Sequence, residues 1–288
     1  MGTQTIETAA ITSHDIDAAG LHESDFRRLR DFLHVRTGID LRPEKQTQVA
    51  NRLQSRLRAL GQSSYREYVD LVLQAGNEPE LQTAIDLLTT NETYFFREPE
   101  HFAFLKRTLA SSAQPERHWR IWSAACSSGE EPYSIAMVLA DVLGPDRGEV
   151  VASDISQRVL RRAQRGHYPL ARVEHLPQDY LHRFCLKGVG PEAGNFLIGK
   201  PLRKMVSFRT VNLVDRLPAL GQFDAIFLRN ALIYFNRADR RSILHRVVQT
   251  LAPGGHLFIG HAESLQGAIE GLDPVQPSVY RRSSAPVD

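Results

Sequence analysis

The chain has 288 residues, of which 42% are hydrophobic and 24% charged, with a formal net charge of +2. This is the composition of a soluble globular protein. No apolar run approaches the roughly 18–20 residues needed to span a bilayer. The opening MGTQTIETAAITSHDIDAAG has neither the basic start nor the apolar centre of a secretory signal. Two cysteines, Cys126 and Cys185, are too few for a disulfide framework and read as reduced thiols in the cytoplasm. The length favours two domains, one of roughly seventy residues and one of roughly two hundred.

Residues 1–20 are small and polar with little periodicity, and read as a flexible tail. Ser24 is placed to cap a first helix over 24–37, with Phe26, Leu29 and Leu33 on one face and Gly38 as its stop. Pro43 suits the first turn of a second helix over 43–60, ended by Gly61. Val49, Leu53, Leu57 and Leu60 form its apolar stripe, and Lys45, Arg52 and Arg56 a basic edge beside it. Between residues 27 and 58 there are nine Lys or Arg against three Asp or Glu. That block is either a solvated helix face or a surface for an acidic partner. Ser64 and Glu67 form a capping box for a third helix, with Tyr68, Leu71 and Val72 inward, and a fourth covers 78–88. Residues 21–88 are therefore expected to form a small all-helical domain.

From residue 89 onward the pattern changes. Short apolar strands over 120–124, 150–153, 206–211, 223–228 and 256–259 alternate with helices such as 134–143. Alternation of this kind predicts an α/β domain over 89–288, with a largely parallel, Rossmann-like sheet covered on both faces. Ligands of such sheets bind at the carboxyl ends of the strands. Residues 166–204 interrupt the rhythm with the turn-forming Gly188, Gly190, Pro191 and Gly194, and predict a small antiparallel β-subdomain inserted on the main sheet.

Four segments carry chemistry. In IWSAACSSGEEP a strand runs into small residues and then a helix whose first turn holds Glu130 and Glu131. Two acids there repel a pyrophosphate and attract a cationic group, although they also suit a helix dipole. Asp154 ends the next strand, where an acid can accept both hydroxyls of a ribose. FDAIFLRNALIYF places Arg229 and Asn230 after a buried strand, with Tyr234 shortly beyond. TTNETYFFRE lies at the expected domain junction and sets Arg97 beside aromatic residues, where it can orient a carboxylate. A dinucleotide G-x-G-x-x-G and a P-loop are both missing, so NAD and ATP are disfavoured relative to a cationic adenosine compound.

TTNETYFFRE, IWSAACSSGEEPYSIA, ASDIS, VNL, FDAIFLRNALIYF and LAPGGHLFIGHAESL, in this order, resemble the CheR family of chemotaxis receptor methyltransferases over nearly the whole chain after the tail. The resemblance implies S-adenosylmethionine as cofactor, S-adenosylhomocysteine as product, and no metal. It implies methylation of glutamate side chains on receptor cytoplasmic domains, tuning receptor signalling and adaptation. Asn91, Thr93, Arg97, Glu131, Asp154, Asn212, Leu213, Arg229 and Asn230 match the family's cofactor contacts. Arg97 and Tyr234 match its catalytic positions near the reactive methyl. Arg52, Arg56 and Arg58 match its receptor-docking helix, and the insert matches a subdomain that in some members grips a peptide at the receptor's C-terminal end. A cytoplasmic monomer recruited to membrane receptor arrays follows, with neither membrane insertion nor nucleic-acid binding.

Competing readings are weaker. A hydrolase would need a G-x-S-x-G elbow. An amino-methylating nucleic-acid enzyme would need Asn/Asp-Pro-Pro-aromatic where this chain has Arg-Asn-Ala-Leu. A binding module on the same fold would be expected to have lost Asp154, Arg97 or Tyr234, and all three are present. The eleven His show no metal-ligand spacing along the chain.

Overall fold

The structure, a computed structural model, describes residues 20–112, 116–263, 265 and 271–283. The tail expected over 1–20 therefore lies, Gly20 apart, outside the described residues. The chain divides into two compact units, one ending at Thr89 and one beginning at Thr90.

The first unit is all-helical. It holds α1 (Glu23–Thr37), α2 (Gln46–Leu60), α3 (Tyr65–Leu73) and α4 (Glu78–Leu88). Phe26, Leu29 and Leu33 of α1, Val49, Leu53 and Leu57 of α2, and Tyr68, Val69 and Val72 of α3 are buried together with Leu81, Ala84 and Ile85 of α4. Gly38 and Gly61 end α1 and α2 in the left-handed conformation, which only glycine adopts without steric cost. Two expectations about helix starts need correction. His22, not Ser24, occupies the N-cap of α1 and makes no side-chain cap, because the chain enters the helix two residues earlier. Pro43 opens a short 3₁₀ turn, Pro43–Lys45, that leads into α2. The α3 cap forms as expected, Glu67 N donating to Ser64 Oγ at 3.2 Å, but the Glu67 carboxylate reaches back to Ser63 instead of Ser64.

The second unit is doubly wound. It contains α5 (Pro99–Ala110), β1 (Trp119–Ala124), α6 (Glu130–Leu143), β2 (Gly148–Asp154), α7 (Gln157–Arg165), β3 (His167–Pro169), α8 (Gln178–Phe184), β4 (Cys185–Lys187), β5 (Asn195–Ile198), α9 (Lys200–Met205), β6 (Val206–Thr210), β7 (Phe223–Leu228), α10 (Arg237–Gln249), β8 (Leu251–Ile259), β9 (Leu272–Gln276) and β10 (Val279–Arg282). The main sheet has the order β6-β2-β1-β7-β8-β10-β9. Its first five strands are parallel, and β10 and β9 add antiparallel at the edge. Alternate residues face opposite layers. Ile121, Ala225 and Phe227 enter one core with residues of α5 and α6. Trp122, Ile226 and Leu228 enter the other with Ile243, Leu244 and Val247 of α10. The expected insert is a separate antiparallel sheet, β3-β5-β4. The hairpin β9–β10 was not anticipated. Pro274 and Pro277 argue against strand, but β9 is the sheet edge, where proline is tolerated.

Candidate functional site

Strand order β6-β2-β1-β7-β8 runs outward in both directions from β1, so the chain reverses its direction of winding between β1 and β7. Crossovers there leave a crevice at the carboxyl ends of the strands. The loops after β1, β2, β6 and β7 all open at that end, and they carry Glu131, Asp154, Asn212, Leu213, Arg229 and Asn230.

Tight turning holds these loops. Among the described residues, six other than glycine have positive φ, and five of them are Phe96, Glu98, Ala125, Ser127 and Asn230. Left-handed backbone in residues with a Cβ costs free energy, and it persists where surrounding contacts over-determine it. The contacts are visible. Ser127 N and Ser156 N each donate at 2.9 Å to one oxygen of Asp154, so that buried carboxylate is locked at the end of β2. Ser127 Oγ donates to the Asn91 carbonyl at 3.0 Å, tying the junction segment to the same loop. Val211 N donates to the Asp154 carbonyl at 3.1 Å, bringing Asn212 and Leu213 alongside. Asn212 turns its amide to Asp215 at 2.9 Å, and the Leu213 carbonyl accepts from Arg246 at 2.8 Å.

A second group forms around Arg229, whose side chain is buried. Its Nε lies 3.4 Å from Glu131 Oε2 and 3.6 Å from Glu98 Oε2, its Nη2 donates to the Arg97 carbonyl, and its guanidinium lies over Phe102 and Phe227. Neither Nε nor Nη1 has a partner of good hydrogen-bond geometry. Glu131 accepts from Ser123 Oγ at 2.6 Å, and burial raises its carboxyl pKa against the opposing pull of Arg229. Glu130, by contrast, has other partners. It is fully buried, bonded by Ser128 Oγ at 2.7 Å and 3.5 Å from Arg172. Arg97 is half-buried over the Tyr94 ring, with Nη1 donating to the Glu92 carbonyl at 3.2 Å. The Thr93 carbonyl accepts from Arg172 of the insert at 2.8 Å. Tyr234 ends the 3₁₀ turn Leu232–Tyr234 that follows Asn230.

The donor set fits S-adenosylmethionine. A zwitterionic amino acid needs a carboxylate and a cation side by side, and Glu131 with the under-satisfied Arg229 would offer them. The Asp154 carboxylate suits a ribose diol. When bound, this cofactor supplies an electrophilic methyl group on a sulfonium.

Sequence reasoning missed three participants. Glu98 follows Arg97 directly, yet its role depends on Arg229. Glu263 lies in the loop after β8, and its carboxylate accepts from the turn after β7. Arg172 comes from the insert and meets the junction segment only in three dimensions. No local signal marked any of the three. Folding also gathers Glu98, His101 and His261, whose ligand atoms lie within 4.8 Å of one another although spacing along the chain shows no metal pattern. The Arg229 guanidinium stands against the same Glu98 carboxylate and opposes a second cation there.

Fold and site together define a class: a nucleoside-cofactor transferase with a Rossmann-like sheet and its ligand crevice at the switch point. The chain belongs to the CheR methyltransferases. The CheR all-alpha domain matches residues 24–89 and the CheR SAM-binding domain residues 91–280. The "Chemotaxis protein methyltransferase" of Salmonella typhimurium is 41% identical over 268 residues, 91% of each chain. "Chemotaxis protein methyltransferase 2" of Pseudomonas aeruginosa is 42% identical over 89% of this chain and 92% of its own. The Escherichia coli protein is 41% identical over 85% of each. The activity is S-adenosylmethionine-dependent methyl transfer.

Proposed function

We propose that this chain methylates glutamate side chains on the cytoplasmic domains of chemotaxis receptors, forming methyl esters and S-adenosylhomocysteine and so tuning receptor adaptation. The observation that carries the reading is the Glu131–Arg229–Glu98 arrangement at the strand ends, together with Asp154 locked at the end of β2. A glutamate oxygen forms a bond to the methyl carbon while the sulfur–carbon bond breaks and its electron pair stays on sulfur. A free Glu titrates near about 4.3, so the nucleophile is already anionic and needs no general base. The protein's work is alignment and removal of water, and alignment alone can supply roughly 7–11 kcal/mol. Asn91, Thr93, Asn212, Leu213 and Asn230 bound the cofactor. Arg97 places the reacting carboxylate or the cofactor, and Tyr234 borders the methyl group. Too tight a salt bridge from Arg97 would hold the nucleophile back, so its role is positional.

Replacing Arg97 by Ala tests the assignment, with cofactor affinity and single-turnover methylation measured separately. At least one is expected to fall tenfold, and wild-type values for both would remove Arg97 from the site. The activity itself is read as base-labile label passing from labelled S-adenosylmethionine to receptor-rich membranes. Cofactor binding without such label would favour a binding module.

Docking involves Arg58, which is exposed on α2. Arg52 and Arg56 have internal partners: Arg52 Nη1 donates to the Leu88 carbonyl at 2.8 Å, and Arg56 Nε to Glu80 at 2.9 Å. Their contribution to a receptor surface is therefore secondary. A receptor C-terminal peptide adds to edge strand β4 of the insert. Leu186 on β4 and Val189 just after it are 60% and 76% exposed, which is unusual for large apolar side chains and supports the reading. No helix among the described residues is long and apolar enough to cross a membrane. A cytoplasmic monomer recruited to receptor arrays completes the proposal.

A further inference from the structure

We infer that Glu263 is a positioning residue of the methyl-transfer reaction, holding the turn that carries Asn230 and Tyr234; this rests on the reading of that turn as the border of the methyl group. Glu263 lies after β8, is 8% exposed, and belongs to a different loop from the residues it holds. Its Oε2 accepts from Asn230 N and from Gly260 N, both at 2.8 Å, and its Oε1 accepts from Ile233 N at 3.3 Å. These donors lie where β7 and β8 have ended and no neighbouring strand supplies a carbonyl. Asn230 has φ +55°, so the chain reverses sharply straight after Arg229 and then enters the 3₁₀ turn Leu232–Tyr234. A backbone N–H left without a partner is costly where water is excluded, and one carboxylate accepts from three such groups at once. Gly260 leaves room for this approach. A Cβ there would stand 2.4 Å from Asn230 Nδ2 and 2.9 Å from Glu263 Oε2.

The geometry also says why the residue must be a carboxylate. Both oxygens face N–H donors. An amide of the same size offers only one acceptor oxygen, and its NH₂ would have to confront at least one backbone N–H. Glu263→Gln therefore opens the turn while preserving volume, and the consequence falls on the reaction carried out beside Tyr234.

The full-length Glu263→Gln variant is compared with wild type by hydrogen exchange and by steady-state methylation of receptor-rich membranes with S-adenosylmethionine. The expected result is at least tenfold faster exchange in fragments covering residues 229–236, with β1 and β2 unchanged. It is accompanied by at least a tenfold fall in kcat that exceeds any rise in KM for the cofactor. Turnover within twofold of wild type would overturn the inference, as would lost turnover with unaltered exchange in 229–236. Faster exchange spread through β1 and β2 would also overturn it, since Glu263 would then serve the fold at large. Tyr234→Phe and Arg229→Lys are assayed alongside. If both keep wild-type turnover, the assignment of the turn to the methyl site is what fails. If both are impaired and Glu263→Gln is not, the positioning role alone is lost.

Discussion

At Asp154 one carboxylate serves two purposes. It accepts from Ser127 N and Ser156 N at the end of β2, and it is the acid proposed to meet the cofactor ribose. Asp154→Asn keeps the shape but removes the charge, and a hydrogen bond to a charged group contributes about 1.5–3 kcal/mol. S-adenosylmethionine binding measured by calorimetry should weaken at least tenfold. His101 illustrates the opposite economy of charge. It is fully buried, and burial followed by the Arg229 and His261 charges pushes its pKa down from 6.5 to about 3. The folded state thus keeps His101 neutral where the unfolded chain takes up a proton. Stability is complete above pH 6.5 and declines as pH falls toward 3. One proton costs about 1.4 kcal/mol per pH unit, so roughly 2 kcal/mol should be lost between pH 6.5 and pH 5. Urea unfolding of wild type and His101→Phe at pH 7 and pH 5 isolates this contribution. The variant should lack that part of the pH dependence, and equal slopes would refute it.

Elements matter here mainly through their ends. The loop from β1 into α6 turns through positive φ at Ala125, Ser127 and Gly129, so the backbone reverses within a few residues and α6 begins directly over the crevice. Gly129 has φ +97°, and a Cβ there would lie 2.7 Å from Ala163 Cβ and 2.8 Å from Tyr168 Oη. Gly129→Ala combines left-handed strain with a clash against α7 and the insert. It should cost about 2–4 kcal/mol in thermal or urea unfolding and weaken cofactor binding in parallel. The insert is thereby part of the site's framework. Tyr168 donates to the Ser128 carbonyl at 2.7 Å and packs on Phe95 of the junction segment, while Arg172 holds Thr93. Strand and helix positions were readable along the chain because their apolar periods are local. The edge hairpin β9–β10 was not, because its prolines and exposed side chains are acceptable only at the rim of a sheet built from distant strands.

Across the molecule the basic α2 shows how charge that is uniform in sequence is divided by folding. Arg56 neutralises Glu80, which is buried, so Arg56→Ala should destabilise by about 1–3 kcal/mol through the stranded carboxylate. Arg58 is exposed, so Arg58→Glu should leave thermal stability within about 0.5 kcal/mol and raise the KM for receptor severalfold. An unchanged KM would remove Arg58 from the docking surface. Asp154, Glu131 and Arg229, the residues proposed to hold the cofactor, were legible because each lies at or just after a strand end in a segment whose residue types already suggest a task. Glu98, Glu263 and Arg172 were not, since their partners lie far along the chain, at Arg229 just after β7, in the turn that follows it, and in the junction segment.

The amino-acid sequence by itself determined the helical first unit, the parallel sheet, the inserted subdomain and the family, because capping, periodicity and strand-end motifs act over a few residues. Only the tertiary structure decided that Glu130 is fully buried against Ser128 and Arg172, that Arg229 stands against both Glu131 and Glu98, and that one carboxylate after β8 closes the turn after β7. Those outcomes depend on which strand ends become neighbours at the switch point, and strand order joins residues that no local pattern relates.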